Sequence, residues 1–348
     1  MEKRRMSVIA GDLRAIVPVA VIAGACVAAS MAAAADKPYT LGISMPFLGN
    51  SFMVVQANLL MDGAKTAEVK TLPVANADRD AGKQITDFHN LIGLGARGII
   101  VVATDSEAII PALNFAASQN VPVVSIDIGP AGGKAAMIVR ANNYKMGEDA
   151  AMATGKALGG KGSTLSLMGD LATVNGRDRS AGYRDCLAKN FPNIKLIEKP
   201  TYWKSDVATS VTQTIVTATP DLGAIYMQTD AGMIAGVLNV LKSAGKLKKV
   251  GEPGHVFLVG IDGAPQALQA IRDGWLDLSI SQPLDLYVKY GLDYLQGAVD
   301  GKTYAPGQTD HNSEVVTFNG NPMDLLPAPL VTTQNVDDKS LWGNQVKQ

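Results

Sequence analysis

Two stretches of this chain say nearly the same thing: VPVVSIDIGP at Val121–Pro130 and VFLVGIDGAP at Val256–Pro265. Each is an apolar, β-branched run long enough for one buried strand, closed by Ile-Asp and then by turn-forming Gly and Pro. The likeness extends upstream. GIIVVATDSEAIIPALN (Gly98–Asn114) and GAIYMQTDAGMIAGVLN (Gly223–Asn239) both read strand, Thr-Asp, helix, and each precedes one of the Ile-Asp strands. A shared order of four features restricts the chain to folds that build one α/β unit twice.

The remaining pattern agrees. After Lys37, predicted strands at 40–45, 69–75, 98–103 and 121–126 alternate with predicted helices at 51–67, 81–94 and 107–118. A second series opens after RANNYKMG, with strands at 163–169, 195–200, 223–228 and 256–261 and helices at 179–190, 207–218, 231–244 and 265–273. Short β-rich runs alternating with helical period signify a parallel sheet covered by helices. With 348 residues, more than one domain usually holds, the expected fold class is α/β, as two similar doubly wound parallel-sheet lobes.

The N-terminus reads as a leader spanning 1–35. MEKRR supplies a basic start, Ala15–Ala35 is apolar, and Ala33 and Ala35 form an A-x-A cleavage site before Asp36. A retained membrane anchor is the alternative, weakened by the low transfer energy of its many alanines. Acylation of Cys26 is another, though the position before it lacks the larger aliphatic residue wanted there. Export leaves Cys186 as the one cysteine, so no internal disulfide is available and stability must come from the core. Cys186, on a predicted helix, is expected to be a buried small hydrophobe. A net charge of −1 without a polybasic block gives no footprint for nucleic acid.

The usual catalytic and cofactor motifs are missing or misplaced. Gly93-x-Gly95-x-x-Gly98 has dinucleotide-binding spacing but closes a helix and opens a strand, the reverse of what pyrophosphate binding needs, so it reads as a helix stop requiring positive φ at Gly93 or Gly95. No cofactor is expected. His89, His255 and His311 stand apart from other ligand types, which argues against a metal site.

Residues just beyond the carboxyl ends of parallel strands line the crevice where α/β proteins hold ligands, and Asp127 and Asp262 both sit there. A carboxylate accepts two neighbouring O–H donors, which suits the vicinal hydroxyls of a sugar. Capping of the following turn accounts for one such Asp, but not for matched placement in both lobes. Phe52 and Trp203 offer flat apolar faces to a sugar ring, and Arg179 offers several donors. Asn50 has donor and acceptor but is equally a good N-cap, and Thr104-Asp105 and Thr229-Asp230 stand at helix starts where capping is expected, with Thr229 still within reach of the cleft. Gln282 fits either the cleft or a hinge, bonded to backbone.

Taken in order after a leader, LGISMPFLGNSF, VPVVSID, RDRSAGY, QTD and LVGIDGAP resemble the periplasmic sugar-binding proteins of ABC transporters, with the ribose-binding type nearest. The resemblance covers nearly all of the mature chain. It implies the type I periplasmic binding protein fold, with two lobes joined by a three-crossover hinge that closes on the ligand. The implied lobes are 36–141 with 283–327, and 142–282 with 328–348. It also implies that Asn50, Phe52, Asp127, Arg179, Trp203, Thr229, Asp262 and Gln282 bind the ligand, and that a monomer in the periplasm serves a membrane ABC permease. The pattern departs from the ribose type at Ile128, where an arginine is usual, at Met53, where a second aromatic is usual, and at Thr229, where Asn is typical. Another pentose, a hexose or a small polyol is therefore expected. The stretch QTDHNSEVVTFNGNPMDLLP is longer than usual and is expected to decorate one lobe or the hinge edge. Two other roles share this architecture: presenting a bound signal to a membrane receptor, and a secreted carbohydrate-active enzyme using the two aspartates as a carboxylate pair. A sugar-responsive repressor would need a helix-turn-helix headpiece where the leader stands.

Overall fold

The protein is described here by a computed structural model covering residues 39–346. The leader, its cleavage site and Cys26 lie outside the described residues.

The first series begins with β1 (Thr40–Met45), α1 (Ser51–Thr66), β2 (Lys70–Thr71), β3 (Ala75–Asn76), α2 (Ala81–Gly93) and β4 (Gly98–Val101). It continues with α3 (Ile110–Ser118), β5 (Val123–Ile126) and β6 (Met137–Ala141). The second series runs α4 (Asn143–Ala157), β7 (Lys161–Met168), α5 (Val174–Asn190), β8 (Asn193–Pro200), α6 (Ser205–Ala218) and β9 (Leu222–Met227), then α7 (Asp230–Ser243), β10 (Phe257–Asp262), α8 (Pro265–Arg272) and β11 (Leu278–Ser281). After it come α9 (Leu284–Val299), β12 (Gly307–Gln308), β13 (Glu314–Phe318), β14 (Asn321–Leu326), β15 (Leu330–Val331) and α10 (Trp342–Gln345).

Two sheets result. One has the order β12-β13-β14-β6-β5-β4-β1-β2, with β3 also on β1; the other has β15-β11-β10-β9-β7-β8. Stripped of their edges they share one order, β2-β1-β4-β5-β6 against β8-β7-β9-β10-β11, with every neighbour parallel. The doubling read from the sequence is therefore a doubling of topology, and β5 and β10, the two Ile-Asp strands, occupy the same place in each lobe. The central strands are buried along their length, as parallel strands covered on both faces must be. The chain passes between sheets three times: after β6, after β11 and after β14.

Several elements depart from the sequence pattern for local reasons. The expected strand 69–75 splits into β2 and β3 around Pro73, which cannot donate to a ladder. The helix expected from Glu107 begins at Ile110, with Pro111 in its first turn. The helix expected from Arg179 begins at Val174, because Thr173 accepts from Gly176 N and starts it a turn earlier. In the false dinucleotide motif the helix ends at Gly93 and Gly95 takes the positive φ of 92°. Cys186 is buried, as its helix predicts. The 306–326 stretch supplies β12, β13 and β14, an antiparallel edge on the first sheet attached through β14 to β6.

One packing feature positions the site directly. Helices α4 and α5 touch backbone to backbone: a Cβ on Gly147 would lie 2.4 Å from the Arg179 carbonyl oxygen, and one on Gly182 2.0 Å from that of Tyr144. Only glycine allows this approach, which brings Arg179 against Asn143 at the first crossover.

Candidate functional site

Every residue of the site follows the carboxyl end of a strand. Asn50 and Phe52 come after β1, Asp127 after β5, Arg179 from the helix after β7, Trp203 after β8, Thr229 after β9, Asp262 at the end of β10, and Gln282 after β11. All eight line one cleft of about 360 Å³ of atom-free space, its mouth included, together with Phe47, Met53, Ile128 and Asn175.

The two aspartates share more than their sequence context. Both are non-glycine residues at positive φ, 58° at Asp127 and 124° at Asp262, a strained backbone that persists where the surroundings fix it and that concentrates at ligand sites. Both are almost fully buried, at 2% and 3% exposure. Asp127 Oδ1 accepts from Asn175 Nδ2 at 2.9 Å, a contact from the opposite lobe. Asp262 Oδ2 accepts from Thr229 Oγ1 at 2.5 Å and Oδ1 from Gln282 Nε2 at 3.2 Å, with Arg179 Nη1 3.7 Å away. Neither side chain is tied to the Gly-Pro turn after it.

Arg179 is held from the other side. Its Nε donates to Asn143 Oδ1 at 2.7 Å and its Nη1 to the Gln228 carbonyl, while its guanidinium carbon lies 5.6 Å from the centre of the Trp203 ring. A second buried cation, Arg140, donates to Asn175 Oδ1 at 2.9 Å and Asp178 Oδ2 at 2.8 Å, fixing the amide that faces Asp127.

Burial outweighs these cations. It pushes the Asp127 carboxyl up to about 7, against the pull of Arg179 and with the nearby Asp262 adding to the rise. Burial likewise raises Asp262 in spite of Arg179 and the bonds from Thr229 and Gln282. A folded-state value above the unfolded one means that ionisation opposes folding: the contribution of Asp127 is fully present below its unfolded value of 3.8 and is lost as pH rises through about 7. Asp127→Asn should thus be more stable than wild type at pH 8 by up to ~4 kcal/mol, with the gain vanishing near pH 4. Urea unfolding at the two pH values checks this, and an equal difference at both would sink it.

The other positions resolve as follows. Asn50 is the N-cap of α1, its Oδ1 accepting from Met53 N at 2.9 Å, so its amide N–H groups are what it turns to the cleft chemistry. Asp105 does not cap α3, which starts only at Ile110; it accepts from Glu107 N and Ala108 N and holds the turn that leads into that helix. Thr229 differs from the capping expectation: it makes no side-chain cap and gives its hydroxyl to Asp262. Gln282 bonds side chains and not backbone, because Tyr287 OH donates to its Oε1 at 2.7 Å. The Trp203 ring packs so close over Gly169 that a Cβ there would meet it at 1.9 Å, and its Nε1 is buried without a partner in the protein.

Sequence reasoning missed three contributors. Asn175 lies four residues before Arg179 on the same helical face, a signal that spacing could have supplied. Phe47 sits in the loop already singled out for Asn50. Trp342 had no local signal: from α10 its Nε1 donates to the Asp262 carbonyl at 2.7 Å, and its ring meets Phe52 edge-on with centroids 5.4 Å apart. Beneath Asp262, the Asp230 carboxyl accepts from Gly263 N at 3.2 Å and Ala264 N at 3.1 Å, holding the turn in place.

Two topologically matched lobes with a buried polar cleft at their strand ends define a cleft-binding protein. The chain belongs to the periplasmic binding protein family: residues 41–303 match the family described as "Periplasmic binding protein domain". It is 30% identical over 291 residues to the D-apiose import binding protein of Paraburkholderia graminis, covering 82% of this chain and 90% of that one. It is 26% identical over 284 residues to the ribose import binding protein of Escherichia coli, covering 81% and 92%. Among solved structures, the Caulobacter myo-inositol binding protein bound to myo-inositol superimposes with a TM-score of 0.72 at 26% identity, covering 86% of this chain and 94% of that one. These relatives are binding proteins, and the family is periplasmic.

Proposed function

We propose that the protein captures one sugar or small polyol between its lobes and delivers it, as a periplasmic monomer exported by a cleaved leader, to an ABC permease. The observation that carries this reading is the convergence of Asp127 and Asp262, from equivalent strands of opposite lobes, on a cleft that also holds Arg179 and two aromatic walls. Carboxylates supply acceptors for paired hydroxyls, and Phe52 and Trp203 supply faces for the ring's C–H surface. Charge-assisted hydrogen bonds contribute about 1.5–3 kcal/mol each, and a few of them reach the ~8 kcal/mol of micromolar affinity. In this reading the three crossovers serve as the hinge between lobes 36–141 plus 283–327 and 142–282 plus 328–348. A ligand closes such a hinge only by binding the closed form better than the open one. The two carboxylates act as acceptors and not as acid and base, so no turnover accompanies binding. Ile128 removes a polar contact and Met53 a stacking contact that the ribose type has, and together they favour another pentose, a hexose or a polyol.

The test is a thermal-shift panel of D-ribose, D-xylose, D-galactose, xylitol and myo-inositol, followed by calorimetry, since a ligand of the native state raises Tm. At least one member should bind, and Asp127→Ala should weaken it at least ~10-fold. Unchanged affinity in that variant would overturn the site assignment, and no shift from any member would overturn the ligand class.

A further inference from the structure

Arg79 lies in the loop after β3, in the first lobe, and is exposed. Its guanidinium carbon sits 3.6 Å from the centre of the Phe47 ring. From there it crosses to the second lobe: Nη1 lies 3.4 Å from the Tyr202 carbonyl oxygen and Nη2 3.3 Å from that of Trp203. The backbone on both sides of this bridge is unusual. Asp78 and Arg79 have φ of 52° and 67°, and Tyr202 and Trp203 have φ of 56° and 57°. Consecutive left-handed residues without glycine are costly and persist only when held by their surroundings. Arg79 bonds the two carbonyls of the strained pair itself. Partial burial lowers the Arg79 guanidinium from its ordinary value, and attraction to Asp170 and Asp206, both in the second lobe, offsets part of that cost.

We propose that Arg79 is a positioning residue for the ligand: by bridging Phe47 to the Tyr202 and Trp203 carbonyls it seats the Trp203 ring as a wall of the cleft and slows the ligand's escape. This inference rests on the sugar-binding reading above. It accounts for a pairing that the site alone leaves unexplained. Phe47 and Trp203 border both the ligand cleft and the outer cavity at its mouth, and Arg79 lines that outer cavity. The planar two-donor fork of arginine is what the paired carbonyls require, and lysine, a point charge, cannot reproduce it.

The experiment uses whichever of the five panel compounds binds the wild type most tightly, with Kd from calorimetry and the dissociation rate from stopped-flow tryptophan fluorescence. Arg79→Ala should raise Kd about 10-fold, mainly through faster dissociation, and Arg79→Lys about 3-fold, on the scale of an exposed cation–π contact plus two long charged hydrogen bonds. The Tm of the ligand-free variants should fall by no more than ~3 °C, since the bridge steadies a strained loop at the cleft mouth and leaves the core untouched. A Kd within twofold of wild type in Arg79→Ala overturns the positioning role while the sugar-binding reading stands, and so does a loss of affinity matched by a loss of ligand-free stability. Binding of none of the five compounds by the wild type overturns the sugar-binding reading, and this inference with it.

Discussion

Asp262→Asn is expected to weaken ligand binding at least ~100-fold while leaving the ligand-free protein as stable as wild type or more so. The carboxamide keeps the shape of the carboxylate. Its oxygen can still accept from Gln282 Nε2, now 3.2 Å from Oδ1, and its amide can donate to Thr229 Oγ1, now 2.5 Å from Oδ2, because a hydroxyl turns to accept. The local network survives, and a buried negative charge is removed from a site where burial already opposes ionisation. What disappears is a charged acceptor able to serve two hydroxyl donors, and two charge-assisted bonds at about 1.5–3 kcal/mol each exceed the ~2.7 kcal/mol of a hundredfold loss. Calorimetry and thermal unfolding on the same preparation decide the matter. A Kd within threefold of wild type would remove Asp262 from the site.

Arg179→Met should have the largest effect on stability, about 3–5 kcal/mol, since it leaves both buried carboxyls without their cation, whereas Asp262→Asn leaves Arg179 still balanced by Asp127. The side chain is 2% exposed, donates to Asn143 and the Gln228 carbonyl, and pulls down both Asp127 and Asp262. Without it each carboxyl rises further, so the loss should be greater at pH 8 than at pH 5, where protonation relieves it. The double variant Arg179→Met with Asp262→Asn should recover more than ~1 kcal/mol of the loss, as neighbours in one network do not add. Urea titration of the four proteins completes the cycle, and strict additivity would show that the cation is not there to balance the acid.

The sequence was most informative where one interaction dominates. A β-branched run buried on both faces can do little but form a central parallel strand, and β1 falls on its expected residues, Thr40–Met45. The repeated Ile-Asp located both carboxylates because strand ends converge in any sheet of this kind. Elements governed by pairing at a distance were not visible. Strand β6, the run MIVRA, was not expected, and its buried Arg140 is satisfied only by Asn175 and Asp178 from α5. Helix α4 has little apolar period, since its inner face is made of small residues chosen for contact with α5. The direction of the Thr229 hydroxyl depended on Asp262, 33 residues on. Left-handed backbone at Trp203 could not be read, because tryptophan does not favour it, and at Asp127 and Asp262 aspartate tolerates positive φ without announcing it.

The Trp342 contact has a bearing on how this protein is made. The indole that pins the Asp262 carbonyl lies 80 residues downstream of it, strapped in place by Arg272 through Asp337 and Asn344. Strands β7 to β11 all precede that ring in the chain, so the turn at Asp262 is completed only once the C-terminal residues have docked. On the proposed reading, a reporter or affinity handle spliced into residues 332–346 should weaken ligand binding in calorimetry although none of those residues lines the cleft.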